Sequence, residues 1–343
     1  MVFNLHYPVM SDPHTAKTFA PDDALPPVEP PSAGFLVQLF VIPGVIVTII
    51  VVVWLLFHWL ASMGNDPREY VRKLRGNNEV RWQAAVNLAG ALHGQAAEDI
   101  TRDADIAGEL GQILDEELKA GSMDERPINM RIYLSRALGE FHVDAAIAPL
   151  IRALSTARDP AEIAVQRAAV HGLASLAANL KNASPSWHSS DLVAALVVSS
   201  KADDDLLRAE SAFALGVLDD PQALDRLDAM LDDPHPDARF NAATGLARHG
   251  KPAALPVLLE MVDPDQTLAM KEETSAESRK QKRIIVNVNG LQGIQELAKA
   301  DQASDLSKAV AAVEKLTETD LPEVREKALR VRDALARRGA EAK

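Results

Sequence analysis

The sequence predicts an all-α protein, an α-solenoid of helical hairpins preceded by one transmembrane helix. Three observations lead there. Residues 30 to 65 contain no Asp, Glu, Lys or Arg, although the 343-residue chain holds 49 acidic and 36 basic side chains. Beyond them, an arginine followed by an Ala- and Leu-rich helix recurs at intervals of about 41 residues, inside the range of two-helix solenoid repeats. Aromatics make up only 4% of the chain against 47% hydrophobic residues, a balance suited to helices packed closely through small side chains. The chain has no cysteine, which excludes disulfides, thiolate zinc sites, iron-sulfur clusters and a cysteine nucleophile. Its net charge of -13 argues against broad nucleic-acid binding, which needs a surface that releases counterions from phosphates.

Residues 1–33 come first, with Pro8, Pro13, Pro21, Pro26, Pro27, Pro30 and Pro31 and four acids against Lys17, and read as an extended, disordered tail. Residues 34–63 are the transmembrane helix. From Phe35 to Leu60, 19 of 26 residues are Leu, Ile, Val or Phe, and a spanning helix needs about 20 largely apolar residues. Pro43 either kinks this helix or sits in its first turn, where a missing N–H costs little. Trp54 and Trp59 suit the headgroup zone at its end, and His58 reads as an interfacial or packing residue. Arg68, Arg72, Lys73 and Arg75 follow at once, so the positive-inside rule places the N-terminus outside and the rest in the cytoplasm, as a single-pass protein of the inner cell membrane.

Residues 66–338 form the solenoid, with about seven repeats, followed by a short tail at 339–343. The repeat arginines are Arg81, Arg131, Arg167, Arg208, Arg239, Arg283 and Arg325, each expected to open a second helix. Leu88, Leu138, Leu215 and Leu246 lie seven residues after their arginines, where an i, i+3, i+4, i+7 stripe buries them. Gly90, Gly139 and Gly216 are small enough to let helix axes approach. Asp66-Pro67, Asp159-Pro160 and Asp220-Pro221 each place an N-cap acceptor before a first-turn proline, and Pro127, Pro236, Pro252 and Pro322 read as further first-turn prolines. Three stretches break the period: a polar insertion at 93–105, a loop at 181–190, and a charged insertion at 263–282 that reads as a solvated helix or a flexible segment.

At Gly216 to Asp263 the pattern becomes specific: Asp220-Pro221-Gln222-Ala223-Leu224 opens a first helix, and Asp233 precedes Arg239-Phe240-Asn241-Ala242-Ala243 in a second. Here the chain resembles the HEAT-repeat family, in particular the bacterial HEAT-like repeats also found in phycobilisome lyases, over residues 66 to 338. That resemblance implies a polar ladder between neighbouring repeats, with Asp233 and Arg239 in the ladder positions. HEAT-repeat di-iron hydroxylases use His-Glu dipeptides, and none of the nine histidines here precedes a Glu. A bilin lyase or another small-molecule enzyme of the family is the alternative function, with Trp187, Tyr133 and Phe141 as candidate groove residues.

No phosphate-binding glycine loop, nucleophile elbow or His-Glu-x-x-His helix is present, so no catalytic, cofactor or metal residues are assigned and no cofactor is expected. The reading is a non-enzymatic membrane scaffold or adaptor. Stacked repeats expose a concave surface suited to a protein partner, and the membrane segment Phe35 to Leu60 offers contact with a membrane complex. Nucleic acid is not expected as a partner. Asp203, Asp204, Asp205, Asp232 and Asp233 gather at turns and form a candidate rim whose negative potential would favour a basic partner; solubilising turns and N-caps explain them equally well.

Overall fold

The computed structural model describes residues 32–62, 67–76, 81–92, 97–301 and 304–341. They fall into two units, Met1–Gly64 and Asn65–Lys343. Among the described residues every regular element is helical.

The first unit contains α1 (Ala33–Leu36), a π-helical turn (Val37–Val41) and α2 (Ile42–Ser62). Pro43 is the second residue of α2, directly after the π turn Val37–Val41, where its missing N–H removes one donor from the α-helical ladder. The window Val37–Phe57 is long and apolar enough to cross a membrane, and none of it is buried. The polar hydroxyl of Thr48 is satisfied within the helix by donating to the Gly44 carbonyl at 2.8 Å.

The second unit is a solenoid of helical hairpins. First helices are α3 (Pro67–Leu74), α6 (Ala104–Ala120), α8 (Ile147–Ser155), α10 (Ser190–Ser199), α12 (Pro221–Ala229), α14 (Leu255–Met261) and α16 (Ser307–Leu316). Each packs against its second helix: α4 (Arg81–Ala91), α7 (Glu125–Gly139), α9 (Ile163–Ala183), α11 (Asp205–Leu215), α13 (Pro236–Arg248), α15 (Ala276–Ala300) and α17 (Pro322–Glu341). A single turn, α5 (Glu98–Thr101), precedes α6. The second helices touch one another in unbroken order from α4 to α17 and form one layer, with the first helices forming the other. Leu88, Leu138, Leu215 and Leu246 lie in the core between the layers, where each contributes about 1.5–3 kcal/mol of burial.

Local chemistry sets the helix starts. The Asp220 carboxylate accepts from the Gln222 and Ala223 amides at 2.8 and 3.1 Å, and Asp159 accepts from Ala161 at 2.8 Å, each before a first-position proline. Pro236 and Pro322 open α13 and α17, while Pro127 stands third in α7. Asp66 lies outside the described residues; Pro67 opens α3.

Several stretches differ from expectation. Of the charged stretch 263–282, residues 276–282 take the solvated-helix alternative as the first two turns of α15, started by a reciprocal Ser275–Ser278 capping box. The remaining 263–275 is anchored by buried Ala269 and Met270. Of the 181–190 loop, residues 181–183 complete α9 and Ser190 starts α10. Of 93–105, residues 93–96 lie outside the described residues, and the rest supplies α5 and the start of α6. Asn287, polar within an apolar stretch, is buried and donates to the Met261 carbonyl at 2.7 Å.

The glycines divide. A Cβ at Gly139 would lie 2.6 Å from the Gly172 Cα, and one at Gly216 would lie 2.8 Å from the Gly245 Cα, so backbones touch where α7 meets α9 and α11 meets α13. Gly90 faces open space and permits no such approach.

Candidate partner-binding surface

The repeat arginines do not all open their helices. Arg81 is the first residue of α4, and Arg208, Arg239 and Arg325 are fourth in theirs; Arg167, Arg131 and Arg283 are fifth, seventh and eighth. Five of them reach forward to a carboxylate of the next hairpin. Arg81 pairs with Glu117 at 3.1 Å, Arg131 with Glu162 at 2.7 Å, Arg167 with Glu210 at 2.6 Å, Arg208 with Asp233 at 2.9 Å and Arg239 with Glu260 at 2.8 Å. In the sixth repeat the neighbouring Lys282 reaches back to Asp237 at 2.6 Å, beside Arg283. Arg325 donates to the Thr319 carbonyl at 3.3 Å.

The ladder therefore runs between neighbouring hairpins and includes both Asp233, paired with Arg208, and Arg239, paired with Glu260. The Asp233 carboxylate receives Arg208 through both oxygens, at 2.9 and 3.0 Å, and the His235 amide at 2.9 Å. Burial opposes ionisation of Asp233, but the Arg208 hydrogen bonds overcome it and hold its carboxyl below the usual range. Arg239 instead takes the Asp233 carbonyl at 2.8 Å and Glu260. Replacing Asp233 with Asn leaves Arg208 half-satisfied, and we expect about 1.5–3 kcal/mol of lost stability in urea denaturation of the full chain. A loss under 0.5 kcal/mol would make the ladder decorative.

The same geometry gives several of the candidate rim aspartates partners within the fold. Asp204 caps α11 by accepting from the Leu207 amide at 2.7 Å, and Asp205 pairs with Arg208 at 2.6 Å. Together with Asp233 they are occupied within the fold, and only Asp203 and Asp232 stand exposed among side chains without such work. Arg208 draws Asp205 and Asp233 together and offsets part of their charge, while Asp204 keeps its charge at the N-terminus of α11. The three aromatics do not share a groove. Phe141 is fully buried, Trp187 donates its indole N–H to Asp144 at 2.8 Å, and Tyr133 lies under Arg136 with the cation 5.5 Å from the ring centre.

The most buried pairing escaped sequence reasoning. Arg131 and Glu162 are 0% and 1% exposed, and Arg158 adds its own backbone N–H and guanidinium to Glu162. Arg158 first, then Arg131, hold the Glu162 carboxyl down to about 2 against the effect of burial. A faint signal existed: an acid lying 21 to 43 residues beyond the repeat arginine, in the next repeat.

Two clefts open on the second-helix layer. One, of about 490 Å³, has Ala89 and Gly90 of α4 on one side, Tyr133 and Arg136 of α7 in the middle, and His171 and Ser175 of α9 opposite. The other, of about 180 Å³, is bordered by Phe213 of α11, Asn241 and Arg248 of α13, and Asn289 and Gln292 of α15. Of the cations lining these clefts, Arg248 donates to the Gly216 carbonyl at 2.8 Å and Arg136 lies over the Tyr133 ring. Among the described residues no group of three His, Asp or Glu side chains is placed to hold a metal ion. The surface offers hydrogen bonds, one exposed aromatic edge at Phe213 and shallow relief, which suits a polypeptide more than a small molecule.

A family model described as HEAT repeats matches residues 190–274. No curated protein matches the chain. Among solved structures, an engineered protein is similar at 17% identity over 80% of this chain and 98% of its own, with a TM-score of 0.36. The Escherichia coli protein YibA aligns at 16% identity over 79% and 93% (TM-score 0.35), and a designed armadillo repeat protein at 19% over 79% and 100% (TM-score 0.33).

Proposed function

We propose that the protein is a membrane-anchored scaffold: the apolar helix supplies location, and the solenoid holds a protein partner beside the membrane. The observation that carries this reading is the continuity of the second-helix layer, in which each cleft is bordered by three successive hairpins. A surface built that way presents a rigid track to a peptide, a helix or a subunit, and needs no reactive group to do so. HEAT- and armadillo-like repeats commonly serve protein–protein contact, and the match at 190–274 supports the same use here.

The membrane part is supported by the length of the apolar window, 21 residues, which at about 1.5 Å per residue spans the roughly 30 Å hydrocarbon core. Exposed Arg72, Lys73 and Arg75 soon after it favour a cytoplasmic solenoid with the N-terminus outside. In right-side-out vesicles, we expect residues 66–343 to resist added protease; digestion there would reverse the topology.

Crosslinking in gentle detergent followed by mass spectrometry tests the scaffold role. Full-length protein and a form lacking residues 1–63 should share partners that map to the solenoid, while partners seen only with the full chain map to the membrane helix. Recovery of no protein partner, together with a reproducible small-molecule conversion by the purified chain, would sink the proposal.

A further inference from the structure

Where α11 meets α13, two side chains compete for one carbonyl. Gly216, the C-cap of α11, lies in backbone contact with Gly245, and its carbonyl faces the end of α13. The Arg248 guanidinium donates to that oxygen at 2.8 Å, and the His249 Nε2 lies 3.2 Å from it. The two nitrogens are therefore no more than 6.0 Å apart. A carbonyl oxygen has two lone pairs, so it holds both donors while His249 is neutral, with the ring proton on Nε2. A charged His249 would place two cations on the same acceptor.

The surroundings decide which charge state the joint prefers. A helix C-terminus favours a nearby cation by about 0.3–1 kcal/mol. The end of α11 already holds two: Arg248 on Gly216, and Lys181 of α9, which donates to the Val217 carbonyl at 3.5 Å. A third gains little from the dipole and meets like charge from both. The His249 side chain is only 14% exposed, so charging it also sacrifices hydration. Against these costs stands Asp219, 3.7 Å from Nδ1 but 74% exposed and therefore well screened by water. Asp220, next in the chain, is committed to His188 at 2.7 Å and to the Gln222 and Ala223 amides. Burial first, with Lys181 and Arg248 adding to it, outweighs the Gly216 carbonyl and Asp219 and holds the imidazole below its ordinary 6.5.

We infer that His249 is a proton-sensitive latch on this joint: its protonation drives Arg248 off the Gly216 carbonyl and loosens α13 from α11. Arg248 lines the cleft bordered by α11, α13 and α15, and Glu296 of α15 lines the same cleft. Released from Gly216, the guanidinium turns into that cleft toward Glu296, so the surface offered to a partner changes with pH. The folded chain binds the His249 proton less readily than the unfolded chain does. The latch is therefore at full strength above about pH 6.5 and weakens as the pH falls below that value. The joint responds without any partner, while the effect on binding rests on the scaffold reading.

The test uses full-length protein in detergent micelles at about pH 7.5 and about pH 5.5, either side of the ordinary histidine range. Exchange of the histidine ring C2 hydrogen, followed peptide by peptide by mass spectrometry, should show His249 titrating below 6.5. Asp219→Asn should lower that titration further, and Arg248→Gln should raise it, because the first removes an attraction and the second a repulsion. Amide exchange, corrected for intrinsic rates, should show the facing ends of α11 and α13 losing protection at the lower pH by about threefold or more. Helices α16 and α17 contain no histidine and should show no such loss. His249→Gln keeps a neutral N–H donor and should abolish the loss while leaving protection at the higher pH intact. Should that variant fold poorly, Arg248→Gln serves in its place, with the loss expected to shrink. Titration of His249 at or above 6.5, a loss that persists in His249→Gln, or a joint that tightens in acid would overturn the inference. A photocrosslinking residue at the exposed position 289, on the α15 side of the cleft, should capture a partner differently at the two pH values. Equal capture at both would overturn the coupling to the surface, whereas no partner from any position would remove the scaffold reading and leave the latch standing.

Discussion

Glu162→Gln is expected to destabilise the α7–α9 region by about 3–5 kcal/mol, the cost of leaving a buried charge uncompensated. The charge is that of Arg131, whose guanidinium is fully enclosed and depends on Glu162 at 2.7 Å, the Pro127 carbonyl at 3.3 Å and the Ser122 carbonyl. Amide hydrogen exchange across α7, α8 and α9 in the full chain is the proper readout, because stacked repeats open locally and a global midpoint dilutes the effect. The double variant Arg131→Met, Glu162→Leu should lose less than the single one, since removing both charges leaves neither stranded, and Arg158 is exposed enough to turn to water. Equal losses in the two variants would mean that packing, not charge, holds the site.

A pH dependence follows from the same carboxyl. Its folded value of about 2 lies below the ordinary 4.5, so the folded state binds its proton less readily than the unfolded chain does. The stabilisation is therefore complete above about pH 4.5 and lost as the pH falls toward 2. Exchange rates in α7–α9 should rise through that window in the wild type, and the rise should be much reduced in Glu162→Gln.

The second large effect is expected from Gly172→Ala. A Cβ there would meet the Ser135 carbonyl oxygen at 2.6 Å and a Leu150 methyl at 3.0 Å. Backbone cannot swing aside as a side chain can, so α9 must move away from α7 at an overpacking cost of about 1–3 kcal/mol or more. Gly90→Ala is the matched control. It lies within α4, is exposed and has nothing within 4 Å of the added carbon, so it should gain about 0.5–1 kcal/mol from helix propensity. Chemical denaturation of both variants decides between them; similar losses at the two positions would show that close approach has no part in the fold.

What could be read from the chain alone were the features that act over one or two helical turns. The Leu that follows four of the seven repeat arginines by seven residues, the Asp-Pro pairs at 159 and 220, and the uncharged run before residue 65 each encode local structure through spacing, capping and hydropathy, so the helical hairpins and their period were legible. Boundaries were less so: the charges of 276–282 look like insertion because a solvated helix start and a polar loop share a composition, and only the capping box at Ser275 with the packing of α15 separates them.

The tertiary structure decided everything that depends on which hairpin stands beside which. Asp233 could serve Arg239 or Arg208 as far as spacing goes; stacking brings Arg208 within 2.9 Å and settles the ladder one repeat earlier. Gly90, Gly139 and Gly216 are alike in sequence, yet two face another glycine and one faces open space, because the neighbour across the layer is contributed by residues some thirty positions away. The aspartates at 203–205 read as one charged group, and the fold gives one a cap, one an ion pair and one to solvent. Short-range spacing determined the helices, their register and their amphipathic faces, since those arise within a single turn of backbone. The partners of each charge and the clefts arise only from the juxtaposition of segments distant in the chain, and stacking alone supplies that juxtaposition.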